Sequence, residues 1–203
     1  MKIIAIGRNY IDHAKELNNP VPKEPIFFLK PDTTIIRNNH PFFYPDFSND
    51  IQYEVEIILK ISKVGKNISP RFAHRYFDEI GIGIDFTARD LQNKCKEKGL
   101  PWEMAKAFDG AAPMSKFVHL NNWGDIQNLN FRLELNGETV QQANTSQMIF
   151  PVDQLIAHVS KFLTLKIGDI LFTGTPAGIG PVKIGDRLTA FIEDRKMLDF
   201  LIK

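Results

Sequence analysis

A chain of 203 residues can bury one full core without disulfides, and its lone Cys95 has no partner with which to form one. Twenty-five Lys and Arg against twenty-four Asp and Glu leave a net charge of +1. That is too even for a surface that tracks nucleic-acid phosphates. No apolar run is long enough to cross a bilayer, and Ile3-Ile4-Ala5-Ile6 behind Lys2 is too short for a signal peptide. The expectation is a cytoplasmic protein of one domain, residues 1–203, with neither nucleic acid nor membrane as partner.

In chain order, Lys2 to Ile6 reads as a strand, and Gly7-Arg8-Asn9 turns it into a short helix with Asn9 as the expected N-cap. The prolines of the segment from Asn18 to Pro25 end that helix and form a stem, so residues 9–25 read as a lid helix and its hinge. Ile26 to Leu29 is a strand, Lys30-Pro31-Asp32 a turn, and Thr33 to Arg37 a further candidate strand. Ile51 to Ile61 reads as one long strand and Gly81 to Phe86 as another. Helices are expected over Pro70 to Phe77 and over Ala88 to Lys98, the second closed by Gly99 and opened by a Thr87 capping box. Leu129 to Leu135 runs into Asn136-Gly137, a strong hairpin signal. Behind Pro151, the residues Val152, Leu155, Ile156, Val159, Phe162 and Leu163 recur at helical spacing. Asp169 to Phe172, Arg187 to Ile192 and Met197 to Ile202 complete a mixed α/β, predominantly β pattern.

Candidate chemistry starts at Glu54-Val55-Glu56. Side chains two apart on a strand share a face, so both carboxylates aim at one spot. An E-x-E pair on a solvated sheet edge is the competing reading. Asp85, at the carboxyl end of a second apolar strand, weighs against it by adding a third hard oxygen donor suited to Mg²⁺ or Mn²⁺. His13 and Glu16, three apart on the first helix, can pair so that the carboxylate orients the imidazole as a base. A surface ion pair is the plainer alternative. Arg89 could clamp a carboxylate in a bidentate fork and Gln92 could donate to a substrate oxygen, while Asp90 reads as a helix cap. Lys106 sits in an apolar, aromatic setting where its cation wants a negative partner. Trp102 and Phe108 read as core. Gly174, Gly178 and Gly180 lack the spacing of a nucleotide loop and instead let backbone amides approach a small anion, with the Thr175 hydroxyl as a further donor.

Taken in order, Gly7-Arg-Asn-Tyr10 with His13 and Glu16, Phe28-Leu-Lys-Pro31, Glu54-x-Glu56, Asp85-x-Thr-x-Arg-Asp90 with Gln92, Leu100-Pro-Trp102 with Lys106, and Gly174-Thr-Pro176 resemble the fumarylacetoacetate hydrolase family. The likeness is to its short single-domain members, acylpyruvate hydrolases and oxaloacetate decarboxylases. It implies a roll of mixed β-sheets around a central site, a homodimer, and Mg²⁺ on Glu54, Glu56 and Asp85. It also implies a helical lid carrying His13 and Glu16, and substrate contacts from Arg89, Gln92, Lys106 and Thr175. One position departs: members often carry histidine just before the first metal glutamate, where this chain has Gln52-Tyr53.

The leading expectation is therefore metal-assisted hydrolysis of a carbon–carbon bond in a small 2,4-dioxo acid. His13, oriented by Glu16, activates the water, and Lys106 holds negative charge on the substrate. Decarboxylation of oxaloacetate, or isomerisation of a related 2-oxo or enol acid, needs the same site. A non-catalytic oxo-acid-binding protein is the reading from a different class.

Overall fold

The structure, a computed structural model, describes residues 1–17 and 20–203. Asn18 and Asn19, the start of the expected stem, lie outside the described residues. A mixed six-stranded sheet forms the spine, in the order Ile26–Lys30, Ile3–Gly7, Ile170–Phe172, Val55–Ile61, Phe77–Ile84, Val118–His119. Its second and third strands, Ile3–Gly7 and Ile170–Phe172, run parallel to each other, whereas the other neighbours are antiparallel. The central strands are apolar on both sides because both faces of the sheet are covered. On one face Val55, Ile57, Leu59 and Ile61 join Ile80, Ile82 and Ile84 in the large core. That core also takes Phe131, Leu133, Leu188 and Ile192 from a four-stranded antiparallel sheet, and Val152, Leu155, Ile156 and Val159 from the helix Val152–Phe162. On the other face Ile3, Ala5, Ile58, Met114 and Phe172 make a smaller cluster.

Glycine in the strand Phe77–Ile84 is explained by that smaller cluster. A Cβ on Gly83 would come within 2.7 Å of the Phe172 ring, so only a bare backbone lets the ring lie flat on the strand. The hairpin signal is realised with both turn residues in the left-handed region, Asn136 at φ 54° and Gly137 at φ 88°, between Asn130–Leu135 and Glu138–Asn144.

Several elements depart from the sequence expectation. Ile51 to Ile61 is two strands, Ile51–Tyr53 and Val55–Ile61, in different sheets, and Glu54 is the joint between them. Thr33 to Arg37 is a 3₁₀ turn, Asp32–Thr34, followed by a two-residue strand. Pro70–Arg75 is 3₁₀ rather than α-helical, and Phe77 already belongs to the next strand. The helix Arg89–Lys98 does end at Gly99 in the left-handed conformation, but Ala88 is its N-cap, with no side-chain cap. Thr87 and Asp90 are drawn elsewhere: the Thr87 hydroxyl to Lys106 Nζ, and Asp90 to Ser48 Oγ at 2.7 Å and the Asn49 amide at 3.2 Å. Phe162, counted with the packing face, is 59% exposed.

Candidate active site

The break at Glu54 sets up the site. Val55 to Ile61 keeps a regular pleat, which puts Glu56 on the same face as Ile58, at the end of the smaller cluster. Glu54 departs from the ladder, and its carbonyl accepts from the Asp85 amide at 2.8 Å just beyond the end of the neighbouring strand. Ligand oxygens of Glu54, Glu56 and Asp85 consequently lie within 4.8 Å of one another, and all three residues are buried.

Three cations surround this acidic cluster. Lys106 Nζ donates to Glu54 Oε2 at 2.8 Å, to Asp85 Oδ2 at 2.7 Å and to the Thr87 hydroxyl. Lys30 Nζ is 2.6 Å from Asp85 Oδ1 and donates to the Ala111 carbonyl at 2.9 Å. Arg89 meets Glu54 Oε1 through one NH₂, reaches Gln92 Oε1 at 2.6 Å through the other, and donates from Nε to Gln52 Oε1 at 2.9 Å. Three of its five N–H groups are thus committed to the protein, so the expected substrate fork is first of all a brace for Glu54.

The electrostatics are uneven. Burial opposes ionisation of Glu54, yet Lys106 and Arg89 hold its carboxyl far below the usual carboxylate range. Lys106 is likewise kept protonated by Asp85 and Glu54 in spite of burial, whereas burial pulls Lys30 down against the attraction of Asp85. Among the described residues, Glu56 has only the Gly174 amide as donor, at 2.6 Å. Burial, Asp85 and Glu54 together push its pKa well up. A dication between the three carboxylates would remove that conflict. The donor set fits one: three hard carboxylate oxygens converge within 4.8 Å of one another in a buried centre.

A six-residue helix, Ile11–Glu16, brings His13 and Glu16 over this centre. Its approach depends on Asn9, which the sequence suggests as a cap. In the fold Tyr10 is the cap position, and the buried Asn9 is a strut. Asn9 Nδ2 donates to the Thr173 carbonyl at 2.8 Å, and Asn9 Oδ1 accepts from the Phe150 amide at 2.8 Å. Gly174 packs beneath it at φ 101°, where a Cβ would come within 2.6 Å of Asn9 Cβ. His13 Nδ1 is 3.3 Å from Glu16 Oε2, and Glu16 Oε1 accepts from the Gly178 amide at 3.1 Å. The carboxylate therefore joins the imidazole to the glycine loop, a tie that an exposed surface pair would lack. Burial outweighs the nearby carboxylates and lowers the His13 pKa, leaving a neutral imidazole.

His13, Glu54, Asp85, Arg89, Gln92, Lys106 and Thr175 all line one pocket of about 390 Å³ including its open mouth. Glu56 lies behind them, and Glu16 acts through His13 and Gly178. Thr175 Oγ1 accepts from Gln141 Nε2 at 2.9 Å, and Gln141 Oε1 accepts from the Val55 amide at 2.9 Å, so this glutamine holds the glycine loop against the strand that carries Glu56. Sequence reasoning missed Gln141, Lys30 and Asn9 in these roles. Lys30, almost wholly buried, carried a signal in Phe28-Leu-Lys-Pro31, a lysine at the end of an apolar strand. Gln141 carried none. Trp102 is only half-buried and lines the pocket, edge-on to Phe28 at 6.1 Å, rather than filling the core. Gln52, in the Gln52-Tyr53 pair ahead of Glu54, accepts from Arg89 Nε.

A buried acidic triad braced by cations and overlaid by a His–Glu pair, at the meeting of β-sheets, is the kind of enzyme site that could hold a divalent cation. The family described as "Fumarylacetoacetate (FAA) hydrolase C-terminal" matches residues 2–200, and the chain belongs to it. It is 39% identical over 201 residues to a mitochondrial oxaloacetate tautomerase of Bos taurus, covering 99% of this chain and 91% of that relative. It is 42% identical over 185 residues to a mitochondrial oxaloacetate decarboxylase of Dictyostelium discoideum, covering 91% and 85%. Among solved structures, fumarylpyruvate hydrolase from Pseudomonas aeruginosa, in complex with Mn²⁺ and pyruvate, superposes with a TM-score of 0.95 at 32% identity. That superposition covers 100% of this chain and 89% of the other.

Proposed function

We propose that the protein is an oxaloacetate tautomerase, interconverting the keto and enol forms of this 2-oxo dicarboxylic acid. The observation that carries the reading is a neutral, buried His13 joined to Glu16 above the acidic triad. The relatives named for oxaloacetate chemistry support it over the hydrolytic reading that the motifs first suggest. A divalent cation held by Glu54, Glu56 and Asp85 would supply Lewis acidity to the 2-oxo carboxylate head. With Nδ1–H directed at Glu16, His13 Nε2 is the free base. It takes a proton from C3, the C–H pair becomes the C2–C3 double bond, and the carbonyl π pair moves to the C2 oxygen, which is then protonated. The Thr175 hydroxyl is a donor available to negative charge on the substrate, and Lys106, whose three N–H groups already serve Glu54, Asp85 and Thr87, acts on that charge through its field.

Decarboxylation is the second reading, favoured by the Dictyostelium relative. It forms an enolate across the same C2–C3 bond, that of pyruvate, by releasing the C4 carboxylate as CO₂, and needs no base at C3. Measuring enol disappearance and CO₂ release from oxaloacetate, with acylpyruvates alongside and with either Mg²⁺ or chelator, tests both. Metal-dependent ketonisation faster than CO₂ release is expected. Acylpyruvate cleavage outpacing both would return the account to hydrolysis.

A further inference from the structure

Two cations in the pocket are not used by the centre described above. Arg8 and Lys96 are half-buried and line the same cavity as His13, Arg89 and Lys106. Every other cation close to the triad has a carboxylate partner: Lys30 on Asp85, Arg89 on Glu54, and Lys106 on both. Among the described residues, Arg8 and Lys96 have neither an ion pair nor a side-chain hydrogen bond. Lys96 has only the face of Trp102, its Nζ 5.9 Å from the ring centroid.

Neither residue is there by default. Arg8 sits at φ 59°, a left-handed conformation that costs a non-glycine residue about 1 kcal/mol or more. The clamped Asn9 beside it holds that turn in place. Lys96 projects from the helix Arg89–Lys98, one turn beyond Gln92, on the side that faces the cavity. Burial, and then the like charges of Arg89 and Arg8, depress its pKa. Unpaired like charges gathered in one small pocket are a cost that an anion would relieve.

The charge count says which anion. Glu54, Glu56 and Asp85 are balanced by Lys30, Arg89 and Lys106, so a bound dication leaves the centre with two positive charges, and one carboxylate of a 2-oxo acid neutralises only part of this. We propose that Arg8 and Lys96 form a second anion subsite that receives the distal carboxylate of a 2-oxo dicarboxylic acid and selects it over a monocarboxylic one. This rests on the reading that the pocket takes a 2-oxo acid head at the triad.

Oxaloacetate is pyruvate with one added carboxylate, so the pair isolates the subsite. Dissociation constants for both are measured on the Mg²⁺-loaded protein, wild type, Arg8→Met and Lys96→Met, within the lifetime of oxaloacetate. The wild type should prefer oxaloacetate. Each variant should lose about tenfold or more of that affinity, the loss expected for one hydrogen bond to a charged group. Pyruvate affinity should stay within about twofold, and Arg8→Lys should recover part of the loss. Equal losses for both ligands, no loss for either, or a wild type without preference would overturn the subsite. A wild type that prefers oxaloacetate but does not speed its ketonisation would instead overturn the tautomerase reading and leave the subsite standing.

Discussion

Replacing Lys30 by methionine keeps the length and apolar stem of the side chain but removes its charge from the centre. The Nζ lies 2.6 Å from Asp85 Oδ1, a gross attraction of about 6 kcal/mol at an effective dielectric constant near 20. Lys106 still holds the other Asp85 oxygen at 2.7 Å, so the net loss falls toward the lower end of the ~3–5 kcal/mol for breaking a buried ion pair. About 1 kcal/mol of it is the lost hydrogen bond to Ala111, which no metal can restore. The remainder comes from leaving Asp85 under-neutralised, which a dication on the triad would compensate. Urea unfolding with chelator should therefore show Lys30→Met about 3 kcal/mol less stable than wild type. In saturating Mg²⁺ the gap should narrow by at least about 1 kcal/mol, because a ligand that binds more tightly to the variant stabilises it more. A gap that is unchanged or wider in Mg²⁺ would refute the idea that Lys30 and the metal neutralise the same carboxylate.

Three further substitutions probe other parts of the site. His13→Ala should lower kcat for ketonisation by about 10²–10⁴-fold, the usual worth of a general base, while Mg²⁺ affinity by calorimetry changes little; a kcat within twofold of wild type would remove His13 from the chemistry. Because burial holds His13 below its ordinary 6.5, the neutral base persists under that pH, and the acid limb of the kcat profile should lie below 6.5. The same depressed pKa means that His13's contribution to stability is complete above 6.5 and is lost as pH falls through the lower value. Glu16→Gln takes away a carboxylate that raises the His13 pKa, so it should move the acid limb to still lower pH; a shift upward would contradict the pairing. Gly174→Ala places a Cβ at φ 101° and 2.6 Å from Asn9 Cβ. It should cost about 1–3 kcal/mol or more in urea unfolding and weaken Mg²⁺ binding by disturbing the amide that holds Glu56. Stability equal to wild type would show that this close approach is not required.

Local patterns carried much of the architecture. Asn136-Gly137 encoded its own hairpin, Gly99 its own helix stop, and the apolar spacing after Pro151 a helix on the core. The expected convergence of Glu54 and Glu56 is present, but for a reason the E-x-E pattern gives only in part. Glu54 and Glu56 converge because Glu54 lies in the joint where the chain passes from one sheet to another, not because both sit on one pleated strand. Alternation alone cannot reveal such a joint, since Gln52 to Ile57 reads as unbroken strand. The cap readings failed where tertiary demand outweighed local preference: Asn9 and Thr87 are good cap residues, and each is drawn into the site by partners far away in sequence. Lys30 and Gln141 were the least legible, because their hydrogen-bond partners lie 34 to 86 residues away.

The central claim is that Glu54, Glu56 and Asp85 hold one dication that grips a 2-oxo acid head. Mn²⁺ titration followed by electron paramagnetic resonance, with and without oxalate, tests it on the wild type and on Glu54→Gln, Glu56→Gln and Asp85→Asn. The account predicts one tight Mn²⁺ per wild-type chain, a spectrum that changes when oxalate is added, and marked weakening of both in each variant. Mn²⁺ binding that survives all three substitutions, or oxalate that binds equally well without metal, would contradict it.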